Sequence, residues 1–353
     1  MGLVRALAFL IGLALVAETL YSAMVTFVLP RSANDRLTRI VFLVVRALFN
    51  WRANRARSYE ARDRVMALFA PMGLLLLPPV WLTLILIGYM GMFYALGISS
   101  WHAAFAASGS SLLTLGFAPL DDLPHQILAF SEATIGLALV ALLIAYLPTI
   151  YAAFNKREVA VTMLEVRAGS PPWAVEMIER YHRIHGLDQL GAQWATWETW
   201  FADIDETHTS LTALVFFRSP RPDHSWITAA GAVLDGAALV NAVVDIPHDA
   251  RADLCIRAGF LALRHIADFF AIPYNPAPKP DDPISINRSE FDTACERLAA
   301  SGVPLKPNRD QAWRDFAGWR VNYDTPLLAI AGLTMAPYAP WSSDRSLRRW
   351  KKI

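Results

Sequence analysis

The chain has 353 residues, of which 55% are hydrophobic and only 18% charged, and its net charge of +1 conceals a very uneven distribution of acids and bases. A positive mean hydropathy at this length argues against an ordinary soluble globule and for a membrane protein. Two cysteines, Cys255 and Cys295, are too few for a disulfide framework or a cysteine metal cluster, and a reducing cytosolic setting accounts for them.

Residues 3 to 29 are apolar apart from Arg5 and Glu18, long enough at about 1.5 Å per residue to cross a hydrocarbon core. A cleaved signal peptide has a similar outline, but the run continues too far, and a retained first helix (1–29) is predicted. Glu18 lies deep in that segment, so it is expected to face protein through an interhelical hydrogen bond. Residues 30–64 carry nine arginines, the mark of a cytoplasmic segment. Within them Ile40 to Phe49 is too short to span and holds Arg46, so it is expected to lie along the interface; it lacks the arginine ladder of a voltage sensor. A second span is predicted over Leu74 to Ile98, with Pro78 and Pro79 near its cytoplasmic start. A short amphipathic piece follows from Trp101 to Leu113, then Thr114-Leu115-Gly116-Phe117-Ala118, Asp121, Asp122 and a turn at Pro124. The third span is Ile127 to Phe154. No Lys or Arg occurs between Val65 and Asn155, whereas Lys156 and Arg157 close the span. That bias predicts an outside amino terminus, an outer-face loop and a cytoplasmic carboxyl-terminal half.

Residues 114–118, with the short helix before them and a span on either side, resemble the filter and pore module (65–157) of the potassium-channel superfamily. The resemblance implies that backbone carbonyls of Thr114, Leu115, Gly116 and Phe117, with the Thr114 hydroxyl, replace the hydration shell of a cation at a four-fold axis. Ala118 stands where the family usually has a second glycine and would be strained if that position required positive φ. Pro119 replaces the family's acidic residue, and Asp121 and Asp122 are close enough to form an acidic outer mouth. Ser110, Ser111 and Glu132 are the expected filter supports, Glu132 being equally readable as an interfacial carboxylate. Gly136 and Pro148 are hinge candidates, and Ile144, Pro148 and Ala152 would crowd the axis as a constriction.

From residue 158 to 353 the chain reads as a mainly helical cytoplasmic domain. The inner helix continues through Arg167 and breaks at Gly169-Ser170-Pro171-Pro172. Helices are predicted at 173–185, 192–206, 226–243 and 251–270, with a short extended piece at 211–217 and a proline-rich stretch from Pro273 to Pro283. Trp194, Trp197 and Trp200 form one helical stripe, read as core or subunit interface. His182 and His185 with Glu179 could hold a metal but lack a fourth ligand, and Glu206, His208 and Ser210 offer an acid, a base and a nucleophile without establishing their geometry. Arg345, Arg348, Arg349, Lys351 and Lys352 around Trp350 make a basic tail, either lipid-binding or solvated.

The fold class expected is an all-α membrane protein with three spanning helices, a re-entrant pore helix with filter loop, and a helical cytoplasmic domain. The function expected is a homotetrameric cation channel of the cell inner membrane. It would be potassium-conducting, with permeant potassium or sodium as its ion, membrane lipid and further copies of itself as partners, an unidentified cytoplasmic regulator, and no enzymatic activity, resident metal, cofactor or nucleic acid. The alternative is a non-conducting, membrane-anchored signalling or assembly protein whose cytoplasmic domain carries the function.

Overall fold

The computed structural model describes residues 2–27 and 35–346, and among them every regular element is helical. The chain forms two compact units, Met1–Arg55 with Val65–Ala152 and Ala56–Arg64 with Ala153–Ile353. Among the described residues four helices are long and apolar enough to cross a membrane.

In the first unit, α1 (Gly2–Phe27) and α4 (Phe69–Leu96) are almost uniformly apolar. They approach so closely at Gly12 and Gly88 that a side chain on either would collide with the other's backbone, the small-residue contact by which helices associate without a hydrophobic drive. This face decides where Glu18 points. Val16, Thr19 and Ala23 are buried beside Gly12, and at about 100° per residue Glu18 falls on the opposite side. It is exposed, so the expectation of an interhelical bond within the chain is corrected. The polar tie is made instead by Ser22, which accepts from Trp81 Nε1 at 3.1 Å and donates to Asp35 Oδ2 at 2.6 Å. Asp35 in turn caps α2 (Arg36–Ala53) by accepting from the Thr38 amide at 2.7 Å. This helix is longer than the expected Ile40–Phe49. Pro78 and Pro79 lie well inside α4 rather than at its start, yet the helix continues through them.

A short helix, α3 (Tyr59–Ala67), precedes α4; α5 (Trp101–Leu112) follows it. The next helix, α6 (Leu123–Ala168), is 46 residues long, about 69 Å, and passes through Gly136 and Pro148 without interruption. It ends where expected: Gly169 takes φ +80° and the Ser170–Pro171 bond is cis.

The second unit is built around α9 (Trp226–Val243), whose side chains are almost all buried. By length and hydropathy alone α9 also qualifies as a span, though it is the shortest and least apolar of the four, but it is buried within the protein, the environment of a core helix. Around it stand α7 (Ala174–Arg183), α8 (Leu190–Ser210), α10 (Ala250–Phe269), α11 (Arg288–Ala300), α12 (Arg309–Arg320) and α13 (Asp324–Thr334). Trp194, Trp197 and Trp200 are 1%, 2% and 5% exposed and belong to this core, which selects core over subunit interface. The segment expected to be extended at 211–217 is a 3₁₀ turn over Thr212–Phe216. The Leu211 amide donates to the Thr207 carbonyl at the end of α8 and the Leu214 amide to the Leu211 carbonyl, both at 2.8 Å, so the segment bonds locally instead of pairing with a strand.

Candidate functional site

The pore-like segment hangs from the carboxyl end of α5. Ser100 caps that helix by accepting from the Ala103 amide at 3.1 Å, and Leu113 closes it. Thr114 then takes φ +53° and Gly116 φ +72°. For glycine this region is free, but for a β-branched threonine it costs about 1–3 kcal/mol and persists only where the surroundings hold it. What holds it is a set of donors turned back on α5. The Leu115 and Gly116 amides donate to the Ser110 carbonyl at 2.8 and 3.4 Å, and the Thr114 amide donates to the Ser111 carbonyl at 3.0 Å. The Ala118 amide donates to the Ser110 hydroxyl at 3.1 Å. Among the described residues no hydrogen bond reaches the carbonyl oxygens of Thr114, Leu115, Gly116 or Phe117. Ala118 is not among the positive-φ residues, so alanine carries no backbone penalty there.

The other expected supports divide. Ser110 provides both a carbonyl and a hydroxyl to the loop, whereas the Ser111 hydroxyl donates to the Ala107 carbonyl one turn back, at 2.9 Å. Glu132 is fully buried, which removes the reading of an interfacial carboxylate. Its Oε1 accepts from the Ser108 hydroxyl at 2.5 Å, and its Oε2 has no partner. Ser108 Oγ also lies 3.1 Å from the Leu86 carbonyl, so one hydroxyl links α4, α5 and α6. Four residues along both helices, α5 and α6 come closer still: a Cβ on Gly136 would collide with the Leu112 carbonyl oxygen. Glycine at 136 is therefore demanded by packing whether or not it bends. Tyr89 and Ser131 share a hydrogen bond of 2.8 Å between α4 and α6.

Beyond the loop, Asp122 pairs with His125, whose ring stacks on Phe93 with 4° between planes. Asp121 is exposed. Ile144, Pro148 and Ala152 are exposed on one face of α6. Leu115 and Phe117 are 61% and 62% exposed, apolar side chains that a single chain leaves bare.

The second unit holds two buried arginine centres that the sequence reading did not single out. Arg157, on α6, is 3% exposed. It donates to Glu158 Oε1 at 2.8 Å, to the carbonyls of Leu214 and Phe217 at 2.8 and 2.7 Å, and to His208 Nε2 at 3.2 Å. An imidazole that accepts from a guanidinium is neutral. Burial, and then the Arg157 charge, hold His208 well below its usual range. Because the unfolded chain would protonate His208 near pH 6.5 and the folded chain would not, stability is lost as the pH falls through 6.5 and is recovered above it. The unfolding free energy of the full chain in neutral detergent is expected to drop between pH 6.5 and pH 5 by up to about 1.4 kcal/mol per pH unit, read as a falling thermal midpoint, and His208→Gln to flatten that slope; an unchanged slope contradicts it.

The second centre is Arg320, fully buried, which donates to both oxygens of Asp235, to Asp324 Oδ1 at 2.7 Å and to the Trp341 carbonyl at 2.6 Å. Tyr323 donates to Asp235 at 2.9 Å and Ser285 donates to Asp324 at 2.6 Å. The sequence did contain the signal: Asp235 is the one carboxylate inside an apolar 18-residue helix, and such a group is buried only with a partner.

The remaining candidates engage other partners. Glu179 is held by Arg297 and Ser301, at 2.6–2.9 Å. Among the described residues no group of three metal-ligating side chains assembles. The Ser210 hydroxyl donates to the Glu206 carbonyl at 2.7 Å, and His208 points into the Arg157 centre, so the three form no acid–base–nucleophile array. Arg345 pairs with Glu290 and Asp344 at 2.7 and 2.9 Å and belongs to the folded unit rather than to a basic tail; Arg348, Arg349, Trp350, Lys351 and Lys352 lie outside the described residues. No protein-family model matches the chain, and no curated protein and no solved structure is significantly similar to it.

Proposed function

We propose that the chain is one subunit of a homotetrameric cation channel, potassium-conducting, with its filter at Thr114–Ala118. One observation carries this reading: the amides of Thr114, Leu115, Gly116 and Ala118 are directed back at α5 while the carbonyl oxygens of residues 114–117 have no partner. Unbonded carbonyls in an apolar setting must meet water or an ion, and stacked rings of them are what a dehydrated cation requires. In this reading α1, α4 and α6 span the membrane, α5 is re-entrant from the outer face, and Asp121 and Asp122 stand at the mouth. Neighbouring copies cover Leu115 and Phe117. Ile144, Pro148 and Ala152 form the inner constriction, with Gly136 and Pro148 as the hinge positions.

The test is ion flux in liposomes under opposed potassium and sodium gradients. The expected potential follows potassium, and Thr114→Val or Gly116→Ala abolishes or broadens that selectivity; any side chain at φ +72° costs about 1–2 kcal/mol. Folded, assembled protein that carries no current overturns the proposal.

A second reading, a non-conducting membrane-anchored signalling or assembly protein, is favoured by a cavity of about 450 Å³ in the second unit, lined by Trp194, Asn241, His248, Arg251 and Lys306, within the size range of small-molecule sites. It is distinguished by filter substitutions that leave the cellular phenotype intact.

A further inference from the structure

On α2 the first unit presents an apolar face that neither α1 nor α4 covers. Along α2, Ile40, Val44, Leu48 and Trp51 are 57%, 56%, 62% and 58% exposed. At about 100° per residue they fall within a quarter-turn of one another and form a continuous stripe. The opposite face is occupied: Phe42 and Phe49 both rest on Phe69, at centroid distances of 6.0 and 6.2 Å. Phe42 also lies against Gly73, one turn further into α4, so this face of α2 is packed on the first turns of that helix. A helix in that position has one face fixed to protein and the other free.

The flanks of the stripe are cationic. Arg36 and Arg39 border one edge and Arg52 the other, α2 contains no carboxylate, and its capping Asp35 is turned inward to Ser22. Among the described residues Arg36, Arg39 and Arg52 have no acidic partner. Just beyond the helix the Arg55 guanidinium lies 3.6 Å from the centroid of the Trp51 ring, an aromatic ring and a cation held together where apolar and headgroup regions meet.

From these observations we infer that α2 is a docking helix for anionic phospholipid, its stripe seated in the acyl boundary and Arg36, Arg39 and Arg52 on the headgroup phosphates. Charge complementarity selects this occupant. A protein partner with an apolar groove would match the stripe but leave three unpaired guanidinium groups at its edges, whereas a lipid surface of opposite charge satisfies both. The inference rests on the first unit being seated in a bilayer, not on conduction.

The full chain is reconstituted into nanodiscs of phosphatidylcholine alone and of phosphatidylcholine mixed with phosphatidylglycerol, and the lipid retained on extraction is counted by native mass spectrometry. Wild type is expected to retain phosphatidylglycerol preferentially. Each Arg→Gln substitution at 36, 39 and 52 should weaken that preference by roughly fivefold, and Arg→Lys should restore it. A fluorophore on Leu48→Cys, with the buried Cys255 and Cys295 left unreacted, should be quenched by lipids brominated on the acyl chain, more strongly when phosphatidylglycerol is present. The variants must elute and melt as wild type does in zwitterionic detergent. Equal phosphatidylglycerol retention in the triple glutamine variant overturns the inference, as does an unquenched label at position 48. Flux measured on the same protein separates the two proposals, because a silent pore with charge-dependent lipid retention leaves the docking helix standing.

Discussion

Arg320→Ala is expected to remove about 3–5 kcal/mol from the second unit. The side chain is completely buried and serves Asp235, Asp324 and the Trp341 carbonyl at once. Truncation leaves Asp235 among apolar residues with only the Tyr323 hydroxyl, and an uncompensated buried carboxylate costs more than the original pair contributed. For a unit of this size the thermal midpoint should fall by roughly 6–20 °C. Arg320→Lys should recover little, since an ammonium cannot reach three acceptors in the plane that a guanidinium does. Arg320→Met combined with Asp235→Leu and Asp324→Asn removes the charges together and should recover most of the loss. A midpoint within 2 °C of wild type for Arg320→Ala would refute the burial and bonding described for this centre; the experiment is thermal unfolding of the full chain in detergent.

In the proposed channel Gly136→Val is expected to reduce ion flux by at least about tenfold, and in the fold to add roughly 1–3 kcal/mol of overpacking between α5 and α6. The obstacle to a Cβ at 136 is the Leu112 carbonyl oxygen, a backbone atom that can yield only by moving the end of α5. That end carries the loop through Ser110, and one turn earlier the same two helices are joined by Ser108 and Glu132. Separation therefore disturbs the loop and leaves a buried carboxylate without its donor. Leu112→Ala removes the nearby Leu112 side chain but not the carbonyl, so it should not rescue Gly136→Val. Rescue would show that the limiting contact is the side chain.

The long apolar helices were legible from hydropathy because hydrocarbon length and an unbroken apolar run are properties of consecutive residues. So was the end of α6, where Gly169 and the two prolines offer no helical continuation. The pore-like segment was legible as a short helix followed by a filter-like string. The hydroxyl that braces it was not, since Ser108 and Glu132 are 24 residues apart and nothing local distinguishes Ser108 from Ser110 or Ser111. The strain expected at Ala118 rested on an assumed backbone angle, and the chain instead places its left-handed residues at Thr114 and Gly116.

By itself the sequence determined which stretches are long and apolar enough to cross a membrane and where along the chain the arginines collect, because length, hydropathy and charge act along the chain; it left the helices at Tyr59–Ala67, Arg288–Ala300, Arg309–Arg320 and Asp324–Thr334 unread. Only the tertiary structure decided which faces those helices bury. Glu18 is exposed because the small residues of α1 close on Gly88, and Asp235 is buried because Arg320 arrives from 85 positions away to accompany it. Helix faces are selected by partners distant in sequence, and the free energy of a buried charge depends on those partners rather than on its neighbours in the chain.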